Sequence, residues 1–236
     1  MKVVPMIFNT EMVKALLDGR KTVTRRPAKN LSFSERVGFT VGDWAYGIGC
    51  NLRETMNNCI RSKSSKCPAQ IGDLIYVRET FAALGYDDYK EVSASSFEVS
   101  EYRYMASELE AIANEKDHEV RGYRWRPSIH MPRRASRLTL KVTDVRIERV
   151  QDITEEQAKC EGVKNTVWFS PFGSEESGWV SLGGKLNAEY RNGFATVWDS
   201  IYRNWHENPY VWVIEFEVIH KNVDAVLLDA EKEVAA

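Results

Sequence analysis

The stretch Gly19-Arg20-Lys21-Thr22-Val23-Thr24-Arg25-Arg26 places a lysine amine, two threonine hydroxyls and three guanidinium groups behind one glycine. Far downstream, Thr154-Glu155-Glu156-Gln157-Ala158-Lys159-Cys160-Glu161-Gly162 ends in a carboxylate just before a glycine. Brought together, an amine, a hydroxyl, a carboxylate and guanidinium groups bind an anionic substrate and supply acid–base or nucleophilic chemistry. A solvated lysine, with a pKa near ~10.4, is a poor base at neutral pH. Burial beside Arg20, Arg25 and Arg26 would disfavour its ammonium form and lower that value. The same residues also describe a solvated basic turn and an ordinary capped helix, and spacing alone leaves both descriptions open.

These groups must be positioned by the elements around them. Met6, Ile7 and Phe8 read as a short buried strand, and Thr10 as the cap of a helix with Val13, Leu16 and Leu17 on its apolar side. Gly19 stands where that helix stops, because a left-handed position after a helix suits glycine. Lys21 and Thr24 then lie just past a helix end. In a straight strand, residues three apart face opposite sides, so a turn or bulge is needed for the two to converge. Val41-Gly42-Asp43-Trp44 offers a turn, and Gly72-Asp73 opens a strand from Leu74 to Arg78. Residues 105–117 read as a helix. Leu138, Leu140 and Val142 alternate, then Val145 and Ile147 resume in the opposite phase, as a strand with a bulge near Thr143-Asp144 would. Thr154 and Gln157 form a capping box, giving a short helix that ends at Glu161. A helix from about Asn187 to Asn204 buries Phe194, Val197, Trp198, Ile201 and Tyr202 at helical spacing. A last strand over 210–219 turns Trp212, Ile214, Phe216 and Val218 to one side.

The chain has 236 residues, 43% of them hydrophobic, and a net charge of −2. That supports one sizeable core and excludes a uniformly basic nucleic-acid coat. The charge is unevenly spread. Residues 20–29 hold Arg20, Lys21, Arg25, Arg26 and Lys29 without an acid, and residues 121–137 hold six arginines and His130 without an acid. This asymmetry predicts a local anion-binding face, with the basic turn and the arginines at 133–137 lining one cleft. Between Tyr123 and Arg137, arginines alternate with Tyr123, Trp125 and His130, a composition used by single-stranded nucleic-acid grooves. Trp198, Trp205 and Trp212 read as packing residues. No signal peptide or apolar run of membrane-spanning length is seen, so a cytoplasmic protein with no membrane partner is expected. Cys50, Cys59, Cys67 and Cys160 lack the short spacing of zinc ribbons and read as free thiols; three of them within one insertion leave a metal or redox pair open.

GRKTVTRR after a short helix, Gly72-Asp73-Leu74-Ile75-Tyr76-Val77-Arg78-Glu79, the Thr154 to Gly162 stretch and the closing Tyr210-Val211-Trp212-Val213-Ile214-Glu215-Phe216 resemble, in that order, the ASCH domain of the PUA-like superfamily. Trp125-Arg126-Pro127-Ser128-Ile129-His130-Met131-Pro132-Arg133 resembles a larger subgroup of that family found in phages and prophages. The resemblance implies an α+β fold: a PUA-like mixed β-barrel with flanking helices, one domain over residues 1–220, and a tail over 221–236. Loop insertions fall at about 27–70, 84–126 and 163–190, making the chain much longer than the short family members. It implies a cleft for RNA, nucleosides or nucleotides; RNA, a nucleoside or a modified nucleic acid is the expected partner, and no cofactor or metal is expected. Some short members are amidohydrolases that remove an acyl group from a modified cytidine. Their lysine, threonine and glutamate match Lys21, Thr24 and Glu161, with Arg26 as an anion or oxyanion partner. Lys21 would then take the proton of Thr24, or of a water that Thr24 positions, and Glu161 would shuttle that proton or hold Lys21. The expected activity is release of an N-acyl group from a modified nucleoside or base. The alternatives are a non-catalytic RNA- or DNA-binding module, a metal-independent ribonuclease of phage origin, and an accessory protein that binds a host factor. Arg20, Arg25, Arg26, Arg78, Glu79, His130, Arg133 and Arg134 are the expected substrate or nucleic-acid contacts.

Overall fold

The computed structural model of the chain describes residues 1–86, 90–166 and 189–235. In chain order they form β1 (Val3–Ile7), α1 (Thr10–Leu17), β2 (Val23–Pro27), β3 (Leu31–Ser34), β4 (Gly38–Val41), β5 (Trp44–Ala45) and α2 (Leu52–Arg61). There follow β6 (Leu74–Arg78), β7 (Phe81–Gly85), β8 (Val99–Tyr104), α3 (Glu110–Ala113), α4 (His118–Arg121) and β9 (Thr139–Arg149). The last elements are α5 (Glu155–Cys160), α6 (Tyr190–Tyr202), β10 (Tyr210–Ile219) and α7 (Val223–Ala235). The class is α+β, and the described strands do not close into a barrel. No helix among the described residues is long and apolar enough to cross a membrane.

Two compact units are built from these elements. The first comprises Met1–Gly19, Asp73–Lys141 and Val218–Ala236, the second Arg20–Gly72 and Val142–Glu217. Strands of the first follow the order β1-β6-β9 and those of the second β9-β10-β2, since β9 and β10 are long enough to belong to both.

In the first unit β1 runs parallel to β6, from Val3 opposite Leu74 to Ile7 opposite Arg78, and β6 pairs antiparallel with the start of β9. The strand begins where Gly72-Asp73 predicts. Helix α1 is capped one residue earlier than expected: the Asn9 side chain accepts from the Met12 N–H, and Val13, Ala15 and Leu16 are buried. Gly19 has φ of +70°, the left-handed conformation expected after the helix. The predicted helix over 105–117 reduces to α3. Asn114 ends it, and the Asp117 side chain accepts from the Glu119 N–H to start α4 instead. Short polar side chains that bond nearby backbone compete with helix propagation in this way. Residues 221–236, read as a tail, carry α7. Val223 is fully buried, and the Asn222 amide donates to the carbonyls of Arg133, Arg134 and Ser136.

In the second unit β10 pairs antiparallel with β2, from Val211 opposite Pro27 to Glu215 opposite Val23. Its burial is two-sided: Val211 and Val213 are buried as fully as Trp212, Ile214 and Phe216. A strand covered on both faces shows a continuous apolar run, so its apolar residues are not confined to one side. Along β9, Leu140 and Val142 are buried, then Val145 and Ile147, with the change of phase at Thr143-Asp144 as expected. The core of this unit gathers Val23, Ile153, Ala158, Phe194, Trp198 and Trp205. Ile201, expected in that core, is half exposed. Residues 167–188, most of the third predicted insertion and the first residues of the predicted helix at 187–204, lie outside the described residues, as do 87–89 of the second insertion.

The region 27–70, expected to be partly irregular, contains the antiparallel sheet β3-β4-β5 and the capped helix α2. Thr55 of α2 is its pivot. The Thr55 hydroxyl accepts from the Phe39 N–H at 2.9 Å, and both Gly38 and Gly47 pack so close that a Cβ on either would lie 2.3 Å from that oxygen. Thr55→Val keeps the shape but leaves the buried Phe39 N–H without this acceptor. It is expected to cost about 1–3 kcal/mol, read from urea unfolding at constant m-value.

Candidate active site

Glycine at 162 adopts φ of +76° and ends α5, leaving Glu161 as its C-terminal cap residue. The capping box at the other end is as predicted: Thr154 Oγ1 accepts from the Gln157 N–H, and Gln157 Oε1 accepts from the Thr154 N–H. The end of α5 docks on the segment that leads into β2. Thr22 N–H donates to Cys160 O at 2.9 Å, Lys21 and Glu161 form an antiparallel bridge, and Arg20 Nη1 donates to Gly162 O at 3.1 Å.

At this junction two residues 140 positions apart meet in a buried contact. Lys21 Nζ donates to Glu161 Oε2 at 2.7 Å and to Glu161 O at 2.9 Å. Lys21 is 0% exposed and Glu161 3%. The second bond sets an ammonium on a helix C-terminal carbonyl, where a cation is favoured. Arg25 completes the arrangement: Nη1 donates to Glu161 Oε1 at 3.3 Å, and Nη2 to Glu148 Oε2 at 2.8 Å and to Gln157 Oε1 at 3.0 Å. The capping-box glutamine of α5 thus also holds Arg25. Glu148 in turn accepts from Arg146 Nε at 2.6 Å, and Arg146 pairs with Asp144 and Glu215.

Burial lowers the Lys21 pKa, and it outweighs Glu161, which favours the ammonium; Arg26 and Arg25 lower it further. Burial alone would raise the Glu148 carboxyl, but bonds and charge from Arg146 and Arg25 bring it below the usual range. The arrangement offers an amine that sheds its proton more readily than a free lysine, in direct contact with a carboxylate.

The structure brings Lys21, Glu161 and Arg25 together and does not bond Thr24 to either of the first two. Thr24 is buried on β2 opposite Ile214, and no hydrogen bond joins its hydroxyl to Lys21 or Glu161 among the described residues. Alternation along β2 sets Thr24 and Arg26 on the face opposite Val23 and Arg25. The bulge that would have turned Thr24 toward Lys21 is not present in β2.

Five of the expected contact residues belong to the first unit, and four of them meet partners of their own there. Glu79 is buried and accepts two bonds from Arg137, both at 2.9 Å, while the Arg137 guanidinium lies 4.1 Å from the centre of the Tyr104 ring. Burial raises the Glu79 pKa, with Arg137 opposing it. Arg78 bonds the Ile129 carbonyl, Arg133 pairs with Asp224 of α7, and Arg134 binds Tyr102 Oη and the carbonyls of Ala94 and Ser96. His130 is exposed on a short turn. Trp125 anchors its indole N–H on Ala113 O at 3.1 Å, and Tyr123 is buried against it. Cys59 is buried and its thiol is pushed up to about 12, by burial first and then by Cys67. No group of three His, Cys, Asp or Glu gathers as a metal site among the described residues.

Sequence reasoning missed Glu148 and Arg146 as partners of the basic turn. Their signal was the charged row Asp144, Arg146, Glu148 at alternate positions of a strand, which shares one face. Comparison with protein-family models, with curated proteins and with solved structures returns no match.

The lowered Lys21 pKa has a consequence for stability. Between the folded value and the ordinary 10.5, the unfolded chain binds a proton that the folded chain does not. Stability contributed through this residue therefore rises with pH across that interval. The unfolding free energy of the wild type is expected to gain on that of Lys21→Met as pH is raised toward 10.5, measured by urea unfolding from pH 7 upward. A difference independent of pH would contradict the assignment.

Proposed function

We propose that the chain is an ASCH-type protein of the PUA-like superfamily, an open relative of its mixed barrel, acting on a modified nucleoside or nucleic acid. The activity best supported is hydrolysis of an N-acyl amide on a modified nucleoside or base. The observation that carries it is the 2.7 Å contact between Lys21 Nζ and Glu161 Oε2, made across 140 residues of chain with the amine pKa lowered. A buried, perturbed amine beside a carboxylate is what a general base needs.

In this reading the neutral Lys21 amine takes a proton from the attacking water. The water oxygen bonds the acyl carbon, and the carbon–nitrogen bond of the amide breaks. The proton returns from the Lys21–Glu161 pair to the leaving nitrogen, so an amide and a water give a carboxylic acid and an amine. Thr24, on the β2 face opposite Arg25, is assigned to positioning rather than to attack. Arg25 keeps the Glu161 carboxylate oriented, and Arg26 stands as the anion partner on the Thr24 face. A second reading draws on the near-complete burial of Lys21, Arg25 and Glu161, which also suits a clasp within a non-catalytic RNA- or DNA-binding module.

The test is acyl release from a panel of N-acylated nucleosides. Lys21→Met is expected to lower turnover by about 10²–10⁴-fold with the circular-dichroism spectrum unchanged. Thr24→Val is expected to raise KM more than it lowers kcat. Acyl release at the wild-type rate in a folded Lys21→Met protein would remove Lys21 as the base. Strand binding with no acyl release by the wild type would favour the binding module, and strand scission would identify a ribonuclease.

A further inference from the structure

The second unit contains a cavity of about 520 Å³ that takes no part in the Lys21 site as described. Its walls come from the turn between β2 and β3, the end of β9, the end of α6 and the start of β10. Its size falls within the roughly 300–1,000 Å³ of small-molecule sites. Two cations line it, Lys29 and Arg149, and no carboxylate does so among the described residues. In a chain of net charge −2, such a lining is selective rather than a background property.

The backbone fixes this frame. Leu31 N–H closes the turn onto Ala28 O at 3.3 Å, with Asn30 in the left-handed region at φ of +58°. Asparagine is one of the few residues that tolerate this conformation, and the turn sets Lys29 at the rim. Ala28 N–H bonds Tyr210 O and Val150 N–H bonds Pro209 O, each at 3.0 Å, so the turn and the end of β9 are both tied to the start of β10.

Arg149 is the central feature. Its guanidinium lies 3.7 Å from the centre of the Tyr210 ring, and Nη1 donates to Asn208 O at 3.0 Å. Neither Arg149 nor Lys29 makes an ion pair among the described residues, in contrast to Arg25 and Arg146 of the same unit. A guanidinium held over a tyrosine ring, with N–H donors left over, is prepared for a planar or tetrahedral oxyanion. Lys29 adds a second charge. The lining also includes Tyr202 and the half-exposed Ile201, apolar surface suited to the face of a planar ring.

We propose that this cavity binds the phosphate monoester of a nucleotide. Arg149 and Lys29 take the phosphate, and the base lies against Tyr202 and Ile201. The same chemistry is offered by a free mononucleotide and by the 5′-phosphorylated end of a single strand. The proposal does not rest on the reading of Lys21.

Calorimetric titration tests it, with a purine and a pyrimidine 5′-monophosphate, the matching nucleosides, and a 5′-phosphorylated tetranucleotide with its unphosphorylated counterpart. The phosphorylated forms are expected to bind at least about tenfold more tightly than the forms without phosphate. Arg149→Gln and the surface change Lys29→Gln should each weaken binding by about tenfold. Competition of the mononucleotide with the tetranucleotide assigns the site to free nucleotides. Binding of the phosphorylated strand alone assigns it to strand ends. Equal binding with and without phosphate, no binding of either phosphorylated form, or an unchanged Kd in a folded Lys29→Gln and Arg149→Gln protein would overturn the proposal.

Discussion

A fully buried ammonium is among the least favourable groups a fold can carry, and Lys21 is tolerable only because Glu161 meets it directly. Transfer of either charge from water without the other would cost several kcal/mol or more. Together they oblige the end of α5 and the approach to β2 to sit where they do. Arg25 extends the obligation, since it shares Glu161 with Lys21 and passes charge on to Glu148 and Arg146. The network alternates in sign from Lys21 to Glu215, so each charge in it has an opposite neighbour.

Apolar packing supplies the rigidity that such a network needs. Ala158 of α5 packs in the same core as Phe194 and Trp198 of α6 and Val23 of β2. The two helices are also joined through polar groups: the Glu155 carboxylate accepts from the N–H groups of Tyr190 and Arg191 at 2.8 and 3.0 Å. A carboxylate at the first turn of a helix satisfies donors that have no partner within it and complements the dipole. Glu161 at one end of α5 therefore serves the lysine and Glu155 at the other serves α6. The Arg25 guanidinium, 5.7 Å from the Phe194 ring centre, spans polar and apolar halves of the junction.

Much of this was legible in the sequence because its causes are local. The capping box at Thr154 and Gln157, the glycine stops at 19 and 162, the start of β6 after Gly72-Asp73 and the span of β10 each follow from a few adjacent residues. The expected meeting of Lys21 and Glu161 came from the family resemblance, since no local pattern links positions so far apart. What was not legible depends on tertiary pairing. Arg25 looked like a ligand for an external anion, yet its anions are Glu148 and Glu161. Thr24 looked like a partner for Lys21, but strand alternation beside Ile214 decided its face. The end of the chain looked dispensable because nothing in its composition reveals that Val223 is buried or that Asn222 gathers three carbonyls. Ile201 fitted a helical apolar stripe, and only the fold shows that it borders a cavity.

The buried Lys21–Glu161 contact is expected to couple these two positions energetically. A double-mutant cycle of Lys21→Met and Glu161→Gln, read by urea unfolding at pH 7, measures this directly. The predicted result is a coupling energy of about 1–3 kcal/mol, with the double variant more stable than the sum of the single changes implies. Effects that add to within about 0.3–0.5 kcal/mol would show that the two residues do not depend on each other, and would contradict the account.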